Sequence, residues 1–222
     1  MSVRVVLTRA AGGNGALAAR LRAAGLEPVE CPLVAVEPLP GGPLELAGYD
    51  RLCLTSRHGV EAFFARGFTG PLPPVAVVGP GTADALRAHG VEPVVVAEVS
   101  TQEGLAEVIP RPAGRVLYAG AEGARDVLAR ELGADVAPLY RTVELRPDAA
   151  PETDLVVLAS ASAARALAAL GRPAAVVSIG PVTSAAAREN GLDVVAEAES
   201  HDLDGLAQAV KLAASRIGSS RF

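Results

Sequence analysis

Four short stretches place hydroxyl side chains where a strand hands over to a helix: Thr55-Ser56, Gly79-Pro80-Gly81-Thr82, Ser160-Ala161-Ser162 and Gly180-Pro181-Val182-Thr183. Taken singly, each hydroxyl reads as a helix cap, its oxygen accepting from a free first-turn amide. Taken together they lie on one rim, because the carboxyl ends of parallel strands are brought side by side and helix N-termini there present free N–H groups and positive dipole ends. Such a rim suits an anion, carboxylate or phosphate, with few charged side chains. Tyr140 stands in an extended segment, where it is either a phenol aimed at bound ligand or a half-buried linker aromatic. Arg9 ends the first strand and Arg125 follows Gly120-Ala121-Glu122-Gly123-Ala124; either could pair a carboxylate, although exposed arginines seldom do anything so specific. His58, His89 and His201 form no ligand spacing, and only His58 falls at the rim. Gly13-Asn14-Gly15-Ala16-Leu17-Ala18 matches a dinucleotide fingerprint, but the strand ends near Arg9 and the glycines come too late for it. GxxxxGK[ST], HExxH and GxSxG patterns are all missing from the sequence.

The elements that must position these residues are short β-rich runs alternating with Ala/Leu/Arg stretches at helical spacing, the pattern of parallel sheets covered by helices. Strands are expected at 3–8, 51–55, 75–78, 94–96, 115–118, 154–158, 175–179 and 194–196. Helices are expected at 14–24, 58–66, 82–89, 101–109, 123–132, 162–170, 183–190 and 203–216. Gly25, Gly90, Gly133, Gly171 and Gly191 fall just past helices, where a left-handed residue closes the last turn.

The chain also repeats itself. Gly79-Pro80-Gly81-Thr82 matches Gly180-Pro181-Val182-Thr183 at an offset of 101, and without a gap the same register pairs Gly90 with Gly191 and Gly104-Leu105-Ala106 with Gly205-Leu206-Ala207. Asp50 to Ser56 matches Asp154 to Ser160, and Arg4-Val5-Val6 matches Arg115-Val116-Leu117. Two copies imply two similar lobes with a ligand cleft between them. The proline-bounded segments 30–38 and 137–147 occupy matching places and read as crossovers. One lobe then comprises residues 1–35 plus 145–222, the other residues 39–137, and the paired crossovers would let them hinge.

The chain has 222 residues, half of them hydrophobic, which provides a substantial core without disulfides or metals. Cys31 and Cys53 each lie among apolar neighbours with no metal-ligand spacing and read as core thiols of a reducing cytoplasm. The net charge of -5, with Lys211 the only lysine, argues against nucleic acid as partner. The stretch from Met1 to Gly12 is too short and charged for a signal peptide. No apolar run approaches the roughly 20 residues that span a bilayer, so no membrane partner is expected.

The ordered set Leu7-Thr8-Arg9, Leu54-Thr55-Ser56 with Gly59-Val60, Val78-Gly79 with Thr82-Ala83, Gly104-Leu105, Tyr140-Arg141-Thr142, Ser160-Ala161-Ser162-Ala163, Ile179-Gly180-Pro181 with Thr183, and Gly205-Leu206 resembles the uroporphyrinogen-III synthase family nearly end to end. The resemblance implies two HemD-like, flavodoxin-like parallel-sheet α/β lobes joined by a two-stranded linker. It implies a hydro-lyase reaction: hydroxymethylbilane, a linear tetrapyrrole polycarboxylate, loses water and closes with inversion of the terminal pyrrole ring, as part of heme biosynthesis. No cofactor or metal is implied, and the protein is expected to be a cytoplasmic monomer. By the same resemblance Tyr140 assists departure of the hydroxyl, and Arg9, Ser56, Gly79, Thr82, Gly120, Ser160, Ser162, Gly180 and Thr183 bind substrate. The sequence departs from the family pattern at His58, where asparagine is common, and at Ala119, where arginine often precedes the glycine. An alternative of a different class is a non-enzymatic bilobal binding or sensor protein that closes on an anionic metabolite.

Overall fold

The computed structural model describes residues 2–147, 151–171 and 175–219. Met1 and residues 148–150, 172–174 and 220–222, all within the expected first lobe, lie outside the described residues. In chain order the first elements are β1 (Arg4–Leu7), α1 (Gly15–Ala23), β2 (Glu27–Glu30), β3 (Val34–Pro38), β4 (Leu44–Glu45), β5 (Arg51–Leu54), α2 (Arg57–Arg66) and β6 (Phe68–Thr69). Next come β7 (Val75–Val77), α3 (Pro80–Ala88), β8 (Val95–Val96), α4 (Gln102–Val108), β9 (Val116–Ala121), α5 (Val127–Leu132) and β10 (Asp135–Glu144). The last are β11 (Leu155–Leu158), α6 (Ala161–Ala169), β12 (Ala175–Ser178), α7 (Pro181–Glu189), β13 (Asp193–Glu197) and α8 (Leu203–Ser219).

The chain forms two compact units, Met1–Ala35 with Val143–Phe222, and Val36–Thr142. In the first unit the strands run β13-β12-β11-β1-β2, parallel throughout. Strand β11 is buried at all four residues, Leu-Val-Val-Leu, as a strand covered on both faces must be. Alternation sorts its side chains. Val5, Leu7, Leu155 and Val157 pack against α1 and α8, whereas Val6, Val156 and Leu158 pack against α6 and α7. Counted in chain order within the unit, the spatial sequence is 2-1-3-4-5, the flavodoxin-like order.

The second unit has the order β3-β10-β9-β5-β7-β8. From β10 to β8 it is parallel. Leu52, Leu54, Val75, Val77 and Leu117 face α2 and α3, and Cys53, Ala76, Val116 and Tyr118 face α4 and α5. Strands β3 and β10 carry the chain between the units. The Leu39 amide donates to the Leu139 carbonyl and the Leu145 amide to the Leu33 carbonyl, both at 2.8 Å. One residue number rises as the other falls, so this pair runs antiparallel.

The parallel α/β architecture expected from the alternation is present, and Gly25, Gly90, Gly133, Gly171 and Gly191 all have the positive φ of a helix terminator. Three expectations are corrected. Helix α5 begins at Val127 rather than 123, because Gly123 sits at φ 68° in a turn and Asp126 takes the N-cap place. Helices α3 and α7 begin two residues before the expected Thr82 and Thr183, at Pro80 and Pro181, where proline's missing N–H costs no hydrogen bond. Strand β2, Glu-Pro-Val-Glu, was not expected as part of a sheet; it holds an edge, where proline and charge are tolerated.

Candidate functional site

In the second unit, β5 ends at Leu54, and Thr55-Ser56 turns the chain into α2. Ser56 caps this helix: its Oγ accepts from the Gly59 amide at 2.9 Å. The same hydroxyl shares a 2.8 Å hydrogen bond with the Tyr140 phenol. Tyr140 pairs with Ala121, the last residue of β9, across a register shift between Pro138 and Tyr140. Strict alternation would send Leu139 and Tyr140 to opposite faces, but the irregularity puts both into one core cluster. The phenol is therefore buried, 6% exposed, rather than a half-exposed linker aromatic. His58 meets its ring edge-on, centroids 6.2 Å apart. Burial pushes the Tyr140 phenol above the ordinary tyrosine value, Ser56 pulls the other way, and Tyr118 adds to the rise. Burial prevails, so the phenol is neutral at neutral pH.

Beside this pair lies a second one that the sequence reading did not single out. Thr55 Oγ1 and the Tyr118 hydroxyl are 3.1 Å apart, and Gln102 Nε2 donates to Tyr118 at 3.4 Å. Tyr118 is one of only three tyrosines, set in an otherwise aliphatic buried strand, and that was the available signal. Gly120, two residues on along the same face, leaves room for it: a Cβ there would stand 2.7 Å from the Tyr118 oxygen.

The remaining residues of the expected site fall at the carboxyl ends of strands in their own units. Gly79 and Gly180 are the N-caps of α3 and α7 with nearly identical backbones, φ 167° and ψ 177° and 178°. Any residue adopts such an extended conformation; what these glycines supply is room for the side chains beside them. A Cβ on Gly79 would meet Ser100 Oγ at 2.4 Å and one on Gly180 would meet His201 at 2.8 Å. Thr82 and Thr183 sit one turn into these helices, 6% and 5% exposed, and no side chain caps either helix. The reading of these two threonines as caps is therefore corrected. Ser160 does cap α6, accepting from the Ala163 amide at 3.2 Å, and Ser162 accepts from Arg165 at 3.3 Å. Arg9 follows β1 and is partly buried. Arg125 pairs with Glu103 and is not a spare cation for ligand. His89 lies stacked on Phe64 and bonded to Glu61. Among the described residues no group of His, Cys, Asp and Glu is arranged to hold a metal ion, and no helix is long and apolar enough to cross a membrane.

Flavodoxin-like order, parallel sheets and hydroxyl-bearing carboxyl ends define a doubly wound α/β protein whose rims suit a small anionic molecule. Comparison with known proteins narrows this. The family model of uroporphyrinogen-III synthase HemD matches residues 15–208, and the chain belongs to that family. It is 29% identical to a uroporphyrinogen-III synthase of Synechococcus elongatus, over 93% of this chain and 94% of that protein. Uroporphyrinogen-III synthetase from Helicobacter pylori matches its fold with a TM-score of 0.66 at 17% identity, covering 97% of this chain and all of that one. A mutant uroporphyrinogen III synthase from Thermus thermophilus matches with a TM-score of 0.61 at 19% identity over the same shares.

Proposed function

We propose that this chain cyclises hydroxymethylbilane to uroporphyrinogen III with loss of water and inversion of the terminal pyrrole ring, and that Tyr140 is the proton donor. The observation that carries this reading is the buried Tyr140–Ser56 pair at the end of β9 and β5 in a chain of this family. The leaving group is a hydroxyl, and it departs as water only if a proton reaches it as its C–O bond breaks. Tyr140 supplies that proton. Ser56, its oxygen held by the Gly59 amide, turns its own O–H onto the phenolate that forms. The proton released when the terminal pyrrole ring, after closure, regains its aromaticity returns the phenol.

Direction is the harder demand, because the linear substrate closes unaided to the symmetric isomer. Holding a flexible polycarboxylate so that one ring carbon meets another supplies ~7 to 11 kcal/mol toward a barrier with no strong acid or nucleophile. In this reading the carboxylates are held by Arg9, Ser160, Ser162, Gly180 and Thr183 in the first unit and by Ser56, Gly79, Thr82 and Gly120 in the second. The helix N-termini beside them favour negative charge despite the chain's net charge of -5. Neither a metal nor a cofactor takes part in this reading, and the enzyme acts as a cytoplasmic monomer.

The test is to supply freshly generated hydroxymethylbilane and determine the product isomer. Formation of the asymmetric isomer is expected. A protein that binds the bilane saturably yet returns only the symmetric isomer of a blank overturns the enzyme reading in favour of a binding protein.

A further inference from the structure

Within the second unit β9 and β5 are neighbours at the point where the strand order reverses, the place in such sheets where ligands bind. A side-chain hydrogen bond joins these two strands at their carboxyl ends, between Tyr118, which pairs with Cys53, and Thr55, the residue that follows β5. Its direction follows from a chain of hydrogen bonds that starts in the core. The Leu128 amide, in the first turn of α5, donates to Gln102 Oε1 at 3.4 Å. An N–H needs an acceptor, so the oxygen of the Gln102 amide faces Leu128 and its Nε2 faces Tyr118, to which it donates. The Tyr118 oxygen, thus occupied by a donor, has its own proton to place, and Thr55 Oγ1 is the acceptor at 3.1 Å. The reverse arrangement would leave a phenolic proton unpartnered in a residue 2% exposed, which a buried donor does not tolerate without loss. Thr55 therefore accepts from Tyr118, and its own proton points elsewhere, from a residue only partly buried at the rim.

We propose that Gln102 and Tyr118 are positioning residues whose hydrogen bonds turn the Thr55 hydroxyl proton outward, making Thr55 a hydrogen-bond donor to a substrate carboxylate. This rests on the synthase reading and adds a contact to it. Gly120 belongs to the same device, since its missing Cβ lets the Tyr118 hydroxyl reach the end of the strand.

The isosteric substitution Gln102→Glu tests the direction. An ionised carboxylate can only accept, so Tyr118 would donate to it, Thr55 would donate to Tyr118, and an oxygen lone pair would face the substrate. With hydroxymethylbilane as substrate, Thr55→Val is expected to lower kcat/KM about 10- to 100-fold, the range for a hydrogen bond to a charged group, chiefly through KM. Gln102→Glu is expected to do the same at neutral pH. The double variant should match Thr55→Val alone, because both remove one donor. As pH falls, the introduced carboxylate takes up a proton and donates as the glutamine amide does, so the ratio of Gln102→Glu to wild type should recover while that of Thr55→Val stays flat. The ionisable groups acting on or coupled to the Tyr118 phenol are Arg125, itself paired with Glu103, Cys53 and Tyr140, and none of them is altered. Should Gln102→Glu fail to fold, Tyr118→Phe takes its place, with a loss that vanishes in the Thr55→Val background. Losses that multiply, a flat pH ratio for Gln102→Glu, or full activity in Thr55→Val overturn the relay. A wild-type protein that makes only the symmetric isomer overturns the synthase reading instead.

Discussion

Tyr140 stands under two opposed influences, burial that favours the neutral phenol and a Ser56 hydroxyl that favours the phenolate, and burial is the larger. The sign of its pH dependence follows. A proton donor is active while protonated, and a value raised above the ordinary tyrosine range, about 10, keeps it protonated across the whole neutral region. The alkaline limb of kcat assigned to Tyr140 is therefore expected only above pH ~10, and a pH–rate profile that loses activity near pH 8 through this residue would contradict the arrangement. Tyr140→Phe should lower kcat by about 100-fold or more, the reach of a positioned proton donor, with product binding nearly unchanged by titration. Cys53 shows the same physics in a thiol. Burial pushes its thiol up to about 12, and burial raises Cys31 as well. Since the thiolate is the nucleophile, iodoacetamide at pH 8 should leave both untouched in native protein and alkylate both in denaturant, as read by mass spectrometry. That both cysteines are core residues was legible from their apolar neighbours. That Tyr140 is buried was not, because the irregularity in β10 that brings it inside depends on its pairing with β9 and leaves no local mark.

Elements reproduce the repeat more faithfully than side chains do. At the offset of 101 read in the sequence, Gly79 lies against Ser100 and Gly180 against His201, while Gly104 lies against Val99 and Gly205 against Ser200. The repeat thus encodes where helix starts touch the loops that lead into α4 and α8, with the contacting partners themselves changed. The contacts of Gly104 and Gly205 include backbone, which cannot swing aside: a Cβ on Gly104 would run into the Val99 carbonyl oxygen and one on Gly205 into that of Ser200. Gly104→Ala is expected to destabilise the protein by about 1–3 kcal/mol, as overpacking does. Gly15, at the start of α1 with open space around it and no positive φ, is the control; Gly15→Ala should be neutral or stabilise by up to about 1 kcal/mol. Denaturant melts of the two variants separate the cases, and equal midpoints would show that the close approach carries no energy. Strand–helix alternation and glycine stops made most elements legible. Edge strand β2 and the two-residue pair of β4 and β6 were not, since a proline-bearing edge and a two-residue strand have no periodicity to read.

At the scale of the whole chain, the two sheets share one plan written from different starting points. In the first unit β1 and β2 open the chain and β11, β12 and β13 follow, whereas in the second β5, β7 and β8 come first and β9 and β10 last. Match β9 to β1, β10 to β2 and β5 to β11, and, leaving aside the added edge strand β3, both sheets run 2-1-3-4-5, one a circular permutation of the other. The sequence repeat itself keeps one block order in both copies, so its offsets shift only by gaps between blocks; the permutation arises because each unit joins the blocks from a different starting point. This plan makes the second unit continuous and the first one split, with a consequence for folding. Both core clusters of the second unit are drawn from residues within Val36–Thr142, including Leu46, Phe63, Leu86, Tyr118 and Leu139. A segment that holds its own sheet and covers both faces with its own helices has what independent folding requires, and at this size it should melt in one cooperative step. The fragment 36–142 is therefore expected to fold alone, with α/β circular dichroism and coincident near- and far-ultraviolet transitions. Residues 1–35 alone, holding β1, α1 and β2 without the β11 that β1 pairs with, should stay unfolded until residues 143–219 are supplied. A fragment 36–142 that shows no cooperative transition would mean that its core depends on chain outside those bounds.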